Sequence, residues 1–179
     1  MRISEMKKPL EQNIGYFLKW MVISSLIGCV GGLIGGFFAK CVLWVTEFRM
    51  ENNWTLYLMP AAGLAIIWLY HMFHEEKNRG TNMVIEAVSS NHQVSPATGP
   101  LIFISTVLTH FVGGSSGREG AALQIGGSLG SLAGRLIRLD DEDRRVAVMC
   151  GMSAVFAGLF GTEVAGGIFS LEVASGGVL

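Results

Sequence analysis

Four long stretches of this chain contain no Asp, Glu, Lys or Arg. They cover residues 21–39, 56–73, 93–117 and 146–162, and most of their residues are apolar. A helix that crosses a bilayer needs about 20 mostly apolar residues, within a range of about 17 to 25. Four such runs in 179 residues predict an all-α protein that crosses the membrane several times.

Polar and glycine-rich breaks divide the apolar sequence into helices of uneven length. The predicted elements are a helix from about residue 14 into the 40s, a polar loop at 47–53, a helix at 54–73, a charged loop at 74–79, a short amphipathic helix at 82–90, a long helix at 95–112, a glycine and serine break at 113–117, a helix at 121–139, a charged loop at 140–145, and apolar elements at 146–160 and 164–173. Interrupted helices at membrane depth are tolerated only where they line a cavity or are covered by protein. The pattern therefore favours a transport site at the breaks.

Small residues recur at helical spacing in two of the predicted helices. Glycines are frequent in residues 28–36, and Gly126, Gly130 and Gly134 recur every fourth residue in a later helix. Small residues at this spacing let two helices approach closely in lipid. We expect both faces to be helix–helix contacts.

Composition narrows the class of protein. Charged residues make up 15% of the chain, against about 25% in soluble domains, which agrees with a lipid-facing protein. The net charge is −1, so no basic surface is available to bind nucleic acid. The three cysteines fit no metal-binding or disulfide pattern, and no nucleophile–base or metal-ligand spacing occurs. We therefore expect neither an enzyme nor a bound cofactor, and the lipid bilayer as a partner.

Basic residues precede the first apolar run. Arg2, Lys7 and Lys8 lie within residues 1–13, and cytoplasmic segments of membrane proteins are enriched in Lys and Arg. The run that follows is too long for a signal peptide and ends at no small-residue cleavage site. We expect a multi-pass protein of the cell membrane, with residues 1–13 as a cytoplasmic N-terminal segment and residues 14–179 as the transmembrane domain.

The break at residues 113–120 is the strongest candidate for chemistry. It places Arg118 and Glu119 at the mouth of a helix that carries no further charge before Arg135, and charges inside membrane domains are costly and usually functional. Its glycines allow tight turns that expose backbone N–H groups at a helix start, where the partial charge is positive. A desolvated halide is well matched to such donors, because dipoles bind it less tightly than a full cation would.

Glu119 admits two interpretations. At a helix start its carboxylate can occupy the anion position itself, whereas the protonated side chain is neutral and can swing away. Such a residue could gate a channel or couple anion flow to proton flow. In the alternative interpretation, Glu119 only caps its helix and pairs with Arg118. The residues alone leave both interpretations open.

The sequence around Glu119 resembles a known family. Residues 117–120, Gly-Arg-Glu-Gly, continue into Ala-Ala-Leu-Gln-Ile-Gly-Gly and resemble the GREGP-type signature of the CLC chloride-channel family; residues 160–172 match a later segment. The resemblance extends over about residues 15–175. It implies the first half of an inverted-repeat, all-α membrane fold with short, broken helices around a glycine-rich anion site.

The resemblance also assigns roles to residues. Glu119 takes the place of the gating glutamate, and the backbone of residues 117–121 takes that of the outer anion site. A second segment stands where the family has its GSGIP loop, which contributes to the central anion position. The implied anion-binding residues are Gly80, Thr81, Asn82, Met83, Gly117, Arg118, Glu119, Gly120 and Ala121.

Departures from the family pattern bear on the transported ion. Ala121 and Glu163 stand where the family usually has proline, and residues 80–84 keep only the first glycine of GSGIP. Val173 replaces a glutamate that serves as the inner proton site in many exchangers, which weakens the case for a chloride/proton exchanger. A channel or the fluoride-exporting branch remains, and the GxNxVIE pattern at residues 80–86 looks closer to that branch.

The resemblance implies transport of chloride or another halide, with fluoride/proton antiport as the alternative. Family members carry two repeats in one chain, dimerise, and place a pore in each subunit. This chain corresponds to about one repeat, so we expect the C-terminal repeat to be missing, the full-length parent to be a homodimer, and the 179-residue chain alone to transport poorly. A further alternative is a non-transporting membrane module from a truncated gene.

Overall fold

The computed structural model describes residues 3–75, 80–89 and 94–174. The helices are α1 (Ile3–Glu51), α2 (Met59–Met72), α3 (Thr81–Ser89), α4 (Thr98–Phe111), α5 (Arg118–Leu136), α6 (Asp141–Phe160) and α7 (Glu163–Ala174). A 3-10 helix, Asn53–Leu58, joins α1 to α2. The described ranges contain no strand, so the prediction of an all-α fold is confirmed.

In the described part of the chain, two segments are long and apolar enough to cross a bilayer. They are Ile14–Glu51 and Asn53–Met72, and they expose large apolar side chains: Leu33 is 76% exposed and Leu64 is 69% exposed. Apolar surface of this extent is costly in water and ordinary against lipid. The first two predicted spans are therefore confirmed by length and composition, whereas α4, with 14 residues, is shorter than predicted.

The helix α6 packs closely against α5 and α1 through glycines. A Cβ added at Gly126 or Gly130 of α5 would overlap backbone carbonyl groups of α6, and one added at Gly35 of α1 would overlap another. At these positions backbone meets backbone, as the spacing of small residues predicts. Gly28 differs, because nothing lies within 4 Å of the place where its Cβ would be.

Buried apolar side chains hold α3 against α5 and α6. Val84 and Val88 of α3 belong to one core cluster with Leu123 of α5 and Met152 of α6. Val84 is fully buried, and its Cγ1 occupies the space that a side chain at Gly127 would need. This packing sets the position of the first residues of α3 relative to α5.

The charged loop predicted at residues 140–145 is wrong. Asp140 caps α6, because its side chain accepts a hydrogen bond from the Asp143 backbone N–H at 2.8 Å. Asp143 is itself buried and accepts hydrogen bonds from Lys19 and from the Tyr16 hydroxyl, the latter at 2.8 Å. Acidic residues stabilise a helix start because it carries partial positive charge, so the acidic cluster begins a helix.

Two other boundaries differ from the prediction. The helix α1 begins at Ile3 and continues to Glu51, so only Asn52 separates it from the following 3-10 helix, and the loop at 47–53 is wrong. Glu47 and Glu51 are exposed at the end of α1, where solvent can accommodate their charge. Part of the loop predicted at 74–79 and the last residue of the 82–90 helix lie outside the described residues.

The ion pair between α1 and α6 predicts a pH-dependent stability. The Lys19 ammonium, hydrogen-bonded to Asp143, holds the pKa of that carboxyl below its usual range. A carboxyl with a lowered pKa stabilises the fold above its unfolded-state pKa, and this contribution is lost as the pH falls through the folded-state pKa. We expect Asp143→Asn to lower the melting temperature in detergent by a few degrees at neutral pH, with a shrinking difference from wild type as the buffer is acidified. Glu142→Gln alters an exposed neighbour and should have little effect on the melting temperature. If the difference between Asp143→Asn and wild type did not change with pH, the ion-pair argument would be contradicted.

The glycine contacts predict a position-specific effect of alanine. Gly130→Ala should force α5 and α6 apart and lower the free energy of unfolding in detergent by about 1–3 kcal/mol, as overpacking typically does. Gly28→Ala is the matched control, because its added methyl group meets open space. Equal effects of the two substitutions would show that α5 and α6 are not in backbone contact.

Candidate functional site

The starts of α3 and α5 lie against each other. A Cβ added at Gly120, in the first turn of α5, would lie 2.9 Å from the hydroxyl oxygen of Thr81, the first residue of α3. The two predicted anion-binding segments, residues 80–83 and 117–121, therefore meet at one place. Gly80 enters α3 with a φ of 65°, a left-handed conformation that glycine adopts without strain.

Backbone N–H groups at both helix starts are unpaired. None of those from Ser115 to Gly120 donates a hydrogen bond within the described part of the chain, and neither do those of Thr81 and Asn82. The first N–H groups of a helix have no acceptor inside it, and they carry its partial positive charge. Two such ends at one point form a suitable position for a small anion.

Glu119 lies in the first turn of α5, with its carboxylate turned back toward Gly117. Its Oε2 is 3.6 Å from the place of a Cβ added at Gly117, and the side chain is exposed on this chain. It forms no hydrogen bond or ion pair with any described residue, including Arg118, and the N-cap of α5 is Gly117, which caps nothing with a side chain. The interpretation that Glu119 only caps its helix and pairs with Arg118 has no contact to support it.

The remaining predicted residues are placed differently. Ala121 is buried in the apolar core around Phe38, so only its backbone can face an anion. Met83 is half-buried and packs against the core that holds α3. Asn82 and Arg118 are exposed in the first turns of their helices. The groups that can face an anion at this place are therefore mainly backbone N–H groups. Thr81 and Glu119 are the polar side chains beside them at the helix starts.

Gln124, one turn beyond Gly120, is a polar residue that the sequence analysis did not select. It is 7% exposed, its Nε2 donates to the Gly120 carbonyl at 3.3 Å, and its Oε1 has no partner. A buried acceptor without a partner is costly, so it marks this turn of α5 as a place for a further donor. The sequence feature that points to Gln124 is a lone amide side chain in a helix of small and apolar residues.

Two positions that depart from the family pattern have plain structural settings. Glu163 is the exposed first residue of α7, where its charge is well tolerated. Val173, near the end of α7, is half-buried and packs against the core that holds α3. Among the described residues, no group of three or more His, Cys, Asp or Glu side chains could hold a metal ion.

Comparisons with known proteins identify the family of this chain. A family model described as "Voltage gated chloride channel" matches residues 62–178. A "Chloride/fluoride channel protein" from Pseudomonas syringae pv. tomato is 34% identical over 174 residues, which cover 96% of this chain and 38% of that protein. An "H(+)/Cl(-) exchange transporter ClcA" from Cronobacter sakazakii is 28% identical over 167 residues, covering 85% of this chain and 36% of that protein.

A solved structure is similar as well. The crystal structure of a CLC-type fluoride/proton antiporter superposes with a TM-score of 0.77 at 31% identity, over 84% of this chain and 38% of the other. The predicted fold class, a polytopic all-α membrane protein, is confirmed by this likeness. The chain spans less than half the length of these relatives.

The contact between α3 and α5 predicts that substitutions at Gly120 and Thr81 have coupled, non-additive effects on stability. Gly120→Ala should lower the melting temperature in detergent, because the new methyl group would press on the Thr81 hydroxyl. Thr81→Ala in the same protein should restore most of the loss, since it removes that oxygen. Gly117→Ala, whose added methyl group would meet only ordinary contacts, is the control. Strictly additive effects of Gly120→Ala and Thr81→Ala would mean that the helix starts do not touch.

Proposed function

Because the chain belongs to the voltage-gated chloride channel (CLC) family, we propose that it forms the first part of a transmembrane pathway for halide ions. The proposed anion position is the meeting point of α3 and α5, where Thr81 and Gly120 are in contact. The observation that carries the proposal is the set of unpaired backbone N–H groups from Arg118 to Gly120, at the start of α5, beside those of Thr81 and Asn82.

Binding by backbone dipoles suits an ion that must leave as readily as it enters. Each helix start contributes about half a positive charge, so two starts attract an anion without placing a full cation in contact with it. Conduction requires binding that is favourable but weak enough for release. Arg118, exposed in the first turn of α5, adds a positive potential that draws anions toward the site.

Glu119 is the proposed gate. Its carboxylate lies at the helix start that attracts the anion, and no described residue holds it by a hydrogen bond or ion pair. An ionised Glu119 competes with the halide for the free N–H groups, whereas a protonated Glu119 loses that attraction and can move aside. Proton uptake and anion movement are thereby linked through one side chain.

Further parts of the proposal concern the protein outside this chain. Glu119 and Arg118 are exposed here, and the relatives are more than twice as long. We expect additional polypeptide to cover this face and complete the pathway, and the full-length protein to be a homodimer. Residues 1–13 are assigned to the cytoplasm and residues 14–179 to the transmembrane domain.

The transported ion is chloride in the leading proposal and fluoride, exchanged for protons, in the second. The names of the 34% identical relative and of the similar structure both include fluoride, which favours the second proposal. Val173 also fits it, because an apolar residue packed against the core stands where exchangers of chloride and protons use a glutamate.

Efflux from liposomes tests the gate. In the full-length protein we expect chloride or fluoride efflux to depend on external pH, because protonation of Glu119 removes its charge. Glu119→Gln should abolish most of that dependence, since its side chain is neutral at every pH. Glu163→Gln is the matched control, because it removes a glutamate from the start of α7 that is equally exposed.

The same assay separates the competing proposals. Chloride and fluoride efflux, measured side by side with a proton-sensitive dye, identify the ion and the coupling. An unchanged pH response in Glu119→Gln would refute the gating role. The 179-residue chain alone is expected to release neither ion, and efflux from it that Glu119→Ala abolishes would contradict the need for further polypeptide.

A further inference from the structure

A polar cavity of about 310 Å³ lies on the loop that leads into α5. It lies between the C-terminal ends of α1 and α4 and the loop, and its lining residues are Thr46, Arg49, His110 and residues 113–117. The segment 80–83 does not contribute to it, so the cavity is distinct from the meeting point of α3 and α5.

Two packing features bring Arg49 into the cavity. The rings of Phe48 and Phe111 stack at 5.7 Å between centroids, which joins the end of α1 to the end of α4. Gly113 then provides the space, because a Cβ there would lie 3.4 Å from the Arg49 Cδ and 3.6 Å from its Nη1. Its φ of 89° favours glycine independently. The guanidinium is therefore placed beside the bare backbone of the loop.

The positive charge of Arg49 has no partner within the described part of the chain. Arg49 is half-buried, and no described residue forms an ion pair or a hydrogen bond with its guanidinium. The other polar side chains of the two helices are satisfied: His110 Nδ1 donates to the Thr106 carbonyl at 2.8 Å, and the Thr46 hydroxyl donates to the Val42 carbonyl at 2.7 Å. No Asp or Glu lines the cavity.

The loop supplies donors as well as space. The N–H groups of Ser115, Ser116 and Gly117 are unpaired in the described chain. The loop also carries two serine hydroxyls, of which that of Ser116 lies 3.5 Å from His110 Nδ1. A half-buried guanidinium next to free N–H groups, with no carboxylate in the cavity lining, favours an anion.

We infer that this cavity holds a small anion of the kind that the protein transports, as a waiting position next to the site between α3 and α5. Gly117 connects the two positions, since it lines the cavity and is also the N-cap of α5. The identity of the anion rests on the proposed function. The cavity leaves room for water around a halide, so the ion keeps part of its hydration and exchanges readily.

Bromide is the probe, because its anomalous X-ray scattering locates it in a crystal. Crystals of the protein grown in bromide should show one anomalous peak beside Arg49 and a second between the starts of α3 and α5. Arg49→Gln should remove the first peak and keep the second. Arg138→Gln, which removes an exposed arginine beyond the far end of α5, should keep both.

A solution measurement accompanies the crystals. In calorimetric titrations with bromide, Arg49→Gln should weaken one of the two binding steps about tenfold or more, the loss expected for one charge-assisted contact. Arg138→Gln should leave both steps unchanged. The comparison of Arg49→Gln with Arg138→Gln uses folded, detergent-solubilised protein and does not depend on transport.

The outcomes separate the two proposals. A peak between α3 and α5 with none beside Arg49 in the wild type overturns this inference and leaves the proposed function standing. A peak beside Arg49 with none between α3 and α5 supports the cavity and counts against the proposed anion position. Absence of both peaks overturns both.

Discussion

Backbone contact between α5 and α6 is the constraint on which the candidate site depends. Lipid tails are as apolar as the side chains they would replace, so helices in a bilayer associate through close packing and not through burial from water. Gly126 and Gly130 allow that packing, because any side chain there would overlap carbonyl groups of α6. With α5 fixed on α6, the core around Val84 places α3 beside it, and the two helix starts meet at Thr81 and Gly120.

The same packing leaves a set of donors that the chain itself does not use. An N–H group without an acceptor costs about 1–3 kcal/mol only once it is buried. Residues 115–120 are exposed or half-buried on this chain, so water or an anion can reach their unpaired N–H groups. Glycines and serines make such a loop possible, because they take up little space and Gly113 adopts a left-handed φ.

Local sequence patterns were sufficient for some elements and insufficient for others. The spans, the short helix α3 and the glycine faces follow from hydrophobic runs and small-residue spacing, which act within one helix. The loops predicted at 47–53 and 140–145 are wrong because charge alone does not indicate a loop: exposed or paired charges also stabilise helix ends. The contact of Thr81 with Gly120 and the cavity beside Arg49 depend on the docking of separate helices, which no single segment encodes.

Two acidic residues near helix starts show why position alone does not define function. Asp143, in the first turn of α6, is buried and accepts hydrogen bonds from Lys19 and Tyr16. Protonation or movement of that carboxylate would break these contacts, so it is suited to holding α1 against α6. Glu119 occupies the first turn of α5 and has no partner in the described chain. A carboxylate that only free N–H groups attract can leave without breaking a protein contact, and an incoming halide can take its place. The absence of partners, more than the signature around it, is the physical reason to propose Glu119 as the gate.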